Sequence, residues 1–166
     1  MASTISAALN ITLSVTETLS SVESPLIDST DATLKEKISV SRTMDASSSP
    51  DGELHAAMQI ALIAGAVTID FTALTRHGGA AVSFSGKSLR ALVLQIPAAN
   101  ANDMTFVVGG SNPLDAFGAG FSITLKPGQT IAIDHKADGP AVAGGTKTID
   151  VTGTGSQAFN LIAVAG

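Results

Sequence analysis

Cysteine is missing from this 166-residue chain, so no disulfide can staple it and no thiolate can hold a metal or act as a nucleophile. Tryptophan and tyrosine are absent too, and six phenylalanines make up the whole aromatic content. That removes the stacking platforms on which single-stranded nucleic acids are bound. Charge is scarce: charged residues are 14% of the chain, against about 25% in an ordinary soluble domain. The net charge of −5 and the pI near 4.9 exclude a binder that works by neutralising phosphates, which needs clustered Lys and Arg. Long apolar runs are also lacking. The longest, Ala56 to Ile69, is interrupted by Gln59 and Gly65 and falls short of the roughly 18 residues a membrane-spanning helix requires. The opening MASTISAALN has no basic segment ahead of an apolar one, which predicts no Sec-type signal peptide and synthesis in a cytoplasm.

What is present is period-two hydrophobicity, repeated along the chain. Leu9, Ile11, Leu13 and Val15 alternate with Asn10, Thr12 and Ser14; Ile38 and Val40 alternate with Lys37, Ser39 and Ser41. The same beat returns at Val67, Ile69 and Phe71, at Leu92, Leu94 and Ile96, and at Phe121, Ile123 and Leu125. It continues through Ile131 and Ile133, Ile149 and Val151, and Phe159, Leu161 and Ala163. Large or β-branched residues facing one way and small polar ones facing the other are what an antiparallel sheet with one wet face demands. Leu54 to Ala64 is Ala-rich enough for a helix, but Met58, Ile60 and Leu62 share one face of a strand, and the flanking pattern favours the strand.

Turn signals separate these segments at the spacing of sandwiches and barrels. In Lys126-Pro127-Gly128-Gln129, proline presets φ at the first central position and glycine allows φ > 0 at the second, which predicts a type II turn at the tip of a hairpin. Arg76-His77-Gly78-Gly79, Gly109 to Pro113 and Gly153 to Ser156 mark further loops. Polar breaks at Glu23 to Thr30 and at residues 45–53, DASSSPDGE, suggest residues 1–64 as an arm or outer β layer and 65–166 as a compact domain. The expected fold is all-β: an antiparallel, jelly-roll-like β-sandwich carrying an extended amino-terminal arm or hairpin layer.

The constellations that could carry chemistry fail one by one. Gly86-Lys87-Ser88 resembles the end of a phosphate-binding loop, but Ala81 stands where that motif needs glycine, and Leu89 to Ile96 reads as a strand where it needs a helix. His77-Gly78-Gly79 resembles an esterase oxyanion loop without the Gly-x-Ser-x-Gly elbow that would supply a nucleophile. His55, His77 and His135 are widely spaced. A metal would need Asp134, His135 and Asp138 folded together, and calcium would need the oxygens of Asn100 to Asp103 to converge. Such residues occupy turns for backbone reasons alone. Asp70, Asp134 and Asp150 could pair as glycosidase acids, yet each sits on the polar side of a strand pattern. No residue is therefore assigned a catalytic, cofactor-binding or metal-binding role, no cofactor is expected, and the chain is read as no enzyme.

Four runs carry a resemblance: AGAVTIDFTALT from Ala64 to Thr75, LRALVLQIPAANANDMTF from Leu89 to Phe106, GFSITLKPGQTIAI from Gly120 to Ile133, and TKTIDVTGTGSQAFNLIAVAG from Thr146 to Gly166. In style and order this half of the chain resembles small virion structural proteins of tailed bacteriophages, β-sandwich modules that decorate capsids or build tail and fibre parts. The resemblance transfers no functional residue and leaves residues 1–64 aside. It implies a capsid decoration (cement) protein on the outside of a phage head, assembled in the host cytoplasm. Its expected partners are its own copies, as a homo-oligomer of trimer type, and the major capsid protein or another virion protein, with no nucleic acid and no membrane. The alternative is a tail or fibre component that touches the host receptor through the loops Gly109 to Phe117 and Asp134 to Gly145. An enzyme reading, such as a depolymerase, would need distant acids to converge in an oligomer.

Overall fold

A computed structural model describes residues 6–19, 32–45, 52–75, 79–135 and 139–166. In the first two stretches the backbone is described, with Ala8 and Asn10 exposed. The expected break around Pro25, residues 46–51 of the expected break at 45–53, and the loop residues Arg76, His77, Gly78 and Asp138 lie outside the described residues.

Strands β1 (Ser6–Leu19) and β2 (Ala32–Asp45) pair in a two-stranded sheet, and Ala8–Thr43 forms a unit distinct from the rest. The period-two segments of residues 9–15 and 38–40 are strands, as the alternation predicts. The remainder holds ten strands: β3 (Leu54–Ala61), β4 (Ala66–Asp70), β5 (Leu74–Thr75), β6 (Ala81–Val82), β7 (Leu89–Gln95), β8 (Met104–Val108), β9 (Ser122–Leu125), β10 (Thr130–Asp134), β11 (Thr148–Thr152) and β12 (Ala158–Ala165). Eight of them make two four-stranded sheets, ordered β10-β7-β12-β3 and β4-β11-β8-β9. Every pairing within them is antiparallel. The short β5–β6 hairpin is separate. The architecture is all-β and sandwich-like.

Alternation decides which side chains meet. Leu92, Leu94 and Ile96, Phe159, Leu161 and Ala163, and Ile149 and Val151 are all fully buried, while Gln95, Ile162 and Thr152 between or beside them are exposed. One continuous core takes members from both sheets. Phe106 of β8 and Phe159 of β12 meet edge to face across it at 5.2 Å, and the other four phenylalanines also pair, Phe71 with Phe84 and Phe117 with Phe121. Each aromatic side chain thus has an aromatic partner, in the tilted geometries that ring quadrupoles favour.

Two expectations change on the fold. β3 is laced to β12 in register from Ala158↔Ala61 to Ala165↔Leu54, so the sandwich begins before the expected boundary at 64/65; its strand form, with Leu62 buried, is as predicted. The turn at Lys126–Gln129 forms, with Gly128 at φ +84 and the Gln129 amide donating to the Lys126 carbonyl at 3.0 Å. It is not the tip of a hairpin. β9 pairs with β8 in one sheet and β10 with β7 in the other, so the chain crosses between sheets there. A turn type sets the local reversal, and burial of Leu125 on one side and of Leu92 and Leu94 on the other decides which sheet each arm joins.

Candidate functional site

Two of the loops singled out in the sequence, Gly109 to Phe117 and Asp134 to Gly145, meet at His135. The first, after β8, is tied down along the start of β11. The carbonyl of Asn112 accepts from the amides of Lys147 and Thr148, both at 2.8 Å, and from Thr148 Oγ1 at 2.9 Å. The Thr148 carbonyl in return accepts from the amides of Gly109 and Leu114. Thr148 is 8% exposed, the one buried polar residue among those described, and it can be buried because these bonds satisfy it. The second loop, after β10, is tied to the start of β7: the Leu89 amide donates to Pro140 and the Val142 amide to Lys87. His135 joins the two. Its amide donates to the Arg90 carbonyl at 2.8 Å, and its ring hydrogen-bonds the backbone of Ala116. Desolvation holds the imidazole below its ordinary pKa, against that hydrogen bond and the nearby Asp134 charge, and Nε2 is buried with no partner among the described residues.

Asp70 and Asp150 lie on the outward side of adjacent strands, two positions out of register, since Asp150 opposes Thr68 and Asp70 opposes Thr148. Asp134 is on the other sheet. Asp70 accepts from Lys147 Nζ at 2.8 Å and from Thr72 through amide and hydroxyl. Burial would raise its pKa, but those hydrogen bonds and the Lys147 charge prevail and hold it below the ordinary value. Asp150 is occupied as well, by Thr68 Oγ1 at 2.6 Å and the Gly110 amide at 2.9 Å. An open depression of about 370 Å³ lies over Thr68, Asp150 and Thr152, and the first two of these bond each other there.

No family model matches the chain, and neither the curated proteins nor the solved structures contain a match. Lys87 forms an ion pair with Glu53 beside a turn and is followed by strand β7, so nothing there cradles a phosphate. Asn100 donates its side-chain Nδ2 to the Ala158 carbonyl at 2.7 Å, bracing the connection between β7 and β8. His55 is on β3 and His135 follows β10, at opposite edges of one sheet. Among the described residues no three His, Asp or Glu side chains are grouped to hold a metal ion.

Proposed function

We propose that the chain is a virion structural protein, a jelly-roll decoration protein seated on the outside of a phage head. The order of strands supports this reading. Numbered one to eight along the chain, the sandwich strands run 1-8-3-6 in one sheet and 2-7-4-5 in the other, the interleaving expected when paired Greek-key paths wrap around one core. Jelly rolls recur in capsid domains, although a fold alone hosts many functions. The bland, lightly charged composition and the hydrogen-bonded loops suit a module that packs among copies.

The second reading, a tail or fibre component touching the host, draws on the meeting of the two loops at His135 and Ala116. Mass spectrometry with copy counting on separated heads and tails decides between them. Capsid-like stoichiometry on heads is the expected result; a few copies confined to tails would give the second reading, and absence from particles would end both.

A further inference from the structure

The outward faces of the two sheets differ in character. On the β4-β11-β8-β9 sheet, Thr152, Thr105 and Thr124 fall in one cross-strand row, with the hydroxyls of Thr105 and Thr124 2.9 Å apart, and Thr68 and Asp150 stand in the next. That face suits water. On the other sheet the register aligns Ala132 of β10, Val93 of β7, Ile162 of β12 and Ala57 of β3. None of the four is buried, and Ile162, at 50%, is with Ile63 one of two large apolar side chains left exposed among the described residues. The adjoining row is Thr130, Gln95, Asn160 and Gln59, its amides linked by Gln59 Nε2 donating to Asn160 Oδ1 at 3.2 Å and Asn160 Nδ2 donating to Gln95 Oε1 at 3.0 Å. Ala91 and Val164, on the far side of the apolar row, are already buried within the chain. The open strip therefore runs from the apolar row through the amides toward Ala61 and Ala158.

We infer that this strip is where two copies of the chain pair, about a two-fold axis parallel to the strands and between β7 and β12. Rotation about that axis reverses the strand order and keeps the rows level. Val93 of one copy then faces Ile162 of the other, Ala132 faces Ala57, Gln95 faces Asn160, and Thr130 faces Gln59. The bulkiest pair meets at the axis and the small residues at the rims, and each amide carries both a donor and an acceptor to offer its opposite number. Charge selects a second copy as the occupant. An isologous contact brings each side chain near its own duplicate, so charge at the axis repels itself; in a chain of net charge −5 these two rows hold none. A charged partner would find nothing there to steer it. Four strands at ~4.8 Å and about six residues at ~3.3 Å give a footprint of roughly 400 Å², about half of what each side of a standard interface buries. The pair is accordingly weak alone and strengthened where copies are held side by side.

Sedimentation of the full chain over a concentration series tests this, with Ile162→Lys on the strip and Thr124→Lys on the opposite sheet. Wild type and Thr124→Lys should show a concentration-dependent monomer–dimer equilibrium that Ile162→Lys abolishes, at unchanged circular dichroism and Tm. Should Ile162→Lys fail to fold, the absence of native cysteine allows a second measurement: mixed Val93→Cys and Ile162→Cys chains, treated with a bis-maleimide matched to the ~10 Å between facing sheets, should cross-link to each other, and Thr124→Cys to neither. A monomer at every soluble concentration, a trimer, an assembly that Ile162→Lys leaves intact, or cross-linking through Thr124→Cys would overturn the proposal. It goes beyond the virion reading and stands apart from it, since purified protein tests the one and counted particles the other.

Discussion

A methyl group placed on Gly109 would lie 2.2 Å from Thr148 Oγ1 and 2.6 Å from the Thr148 carbonyl oxygen. Neither atom can withdraw, because the hydroxyl is bonded to Asn112 and the carbonyl to two amides. Gly109→Ala is expected to cost about 1–3 kcal/mol, as overpacking of a tight site does, and a urea midpoint will show it. Gly144→Ala, with open space around it, should stay within about 0.5 kcal/mol. Among the described residues, two titrating groups shape the acid side of the stability curve. His135 has a folded pKa below its ordinary 6.5, so the unfolded chain takes up that proton first, and its contribution is lost as pH falls below 6.5. Asp70 has a folded pKa below its ordinary 3.8, so its contribution is complete above that value and is lost as pH falls through the folded one. Tm against pH should therefore fall in two stages, with Asp70→Asn flattening the lower and His135→Gln the upper. A profile that neither change alters would refute the assignment.

At the scale of elements, the turns carry the strain and the information. Between β3 and β4, Ile63 and Ala66 exchange both backbone hydrogen bonds, at 2.9 and 3.1 Å, around Ala64 at φ 51 and Gly65 at φ 85. Positive φ at both central residues is the type I′ geometry, which prefers Asn-Gly. Gly65 meets that demand, but Ala64 holds its Cβ in a left-handed conformation that costs about 1–2 kcal/mol for an ordinary L-residue. Ala64→Asn should raise stability by roughly 0.5–1 kcal/mol, since asparagine tolerates that region better; a thermal melt that moves down instead would show that the turn is held by something else. The Lys126–Gln129 turn makes the complementary point. Its proline and glycine specify a reversal, and they are silent on whether the arms pair with each other or with strands far along the chain.

For the whole molecule, the decisive quantity is the shared core. Every member of the described core cluster lies between Ala56 and Ala165, while Ala8–Thr43 forms its own unit around β1 and β2. A two-stranded sheet alone is marginal in water, whereas the sandwich buries four phenylalanines completely. A chain lacking residues 1–43 should therefore keep its β-type circular dichroism and a single cooperative melt. Loss of that melt would show that the amino-terminal segment completes the core.

The alternation of apolar and polar residues marked most of the strands by itself, because period-two burial is a local property: Leu92, Leu94 and Ile96 are inside wherever that strand goes. Strand β8 (Met104–Val108) and the short β5 and β6 were not marked by it. Glycine and proline likewise determined where the chain turns. Only the tertiary structure decided that β9 and β10 part into different sheets, that β3 closes against β12, and that the Gly109 and His135 loops touch. Those contacts join residues far apart in the chain, and nothing in the spacing of either segment names the other. The same holds for the row of Ala132, Val93, Ile162 and Ala57: each is an unremarkable outward residue in its own strand, and they become one apolar strip only when the register of four strands sets them level.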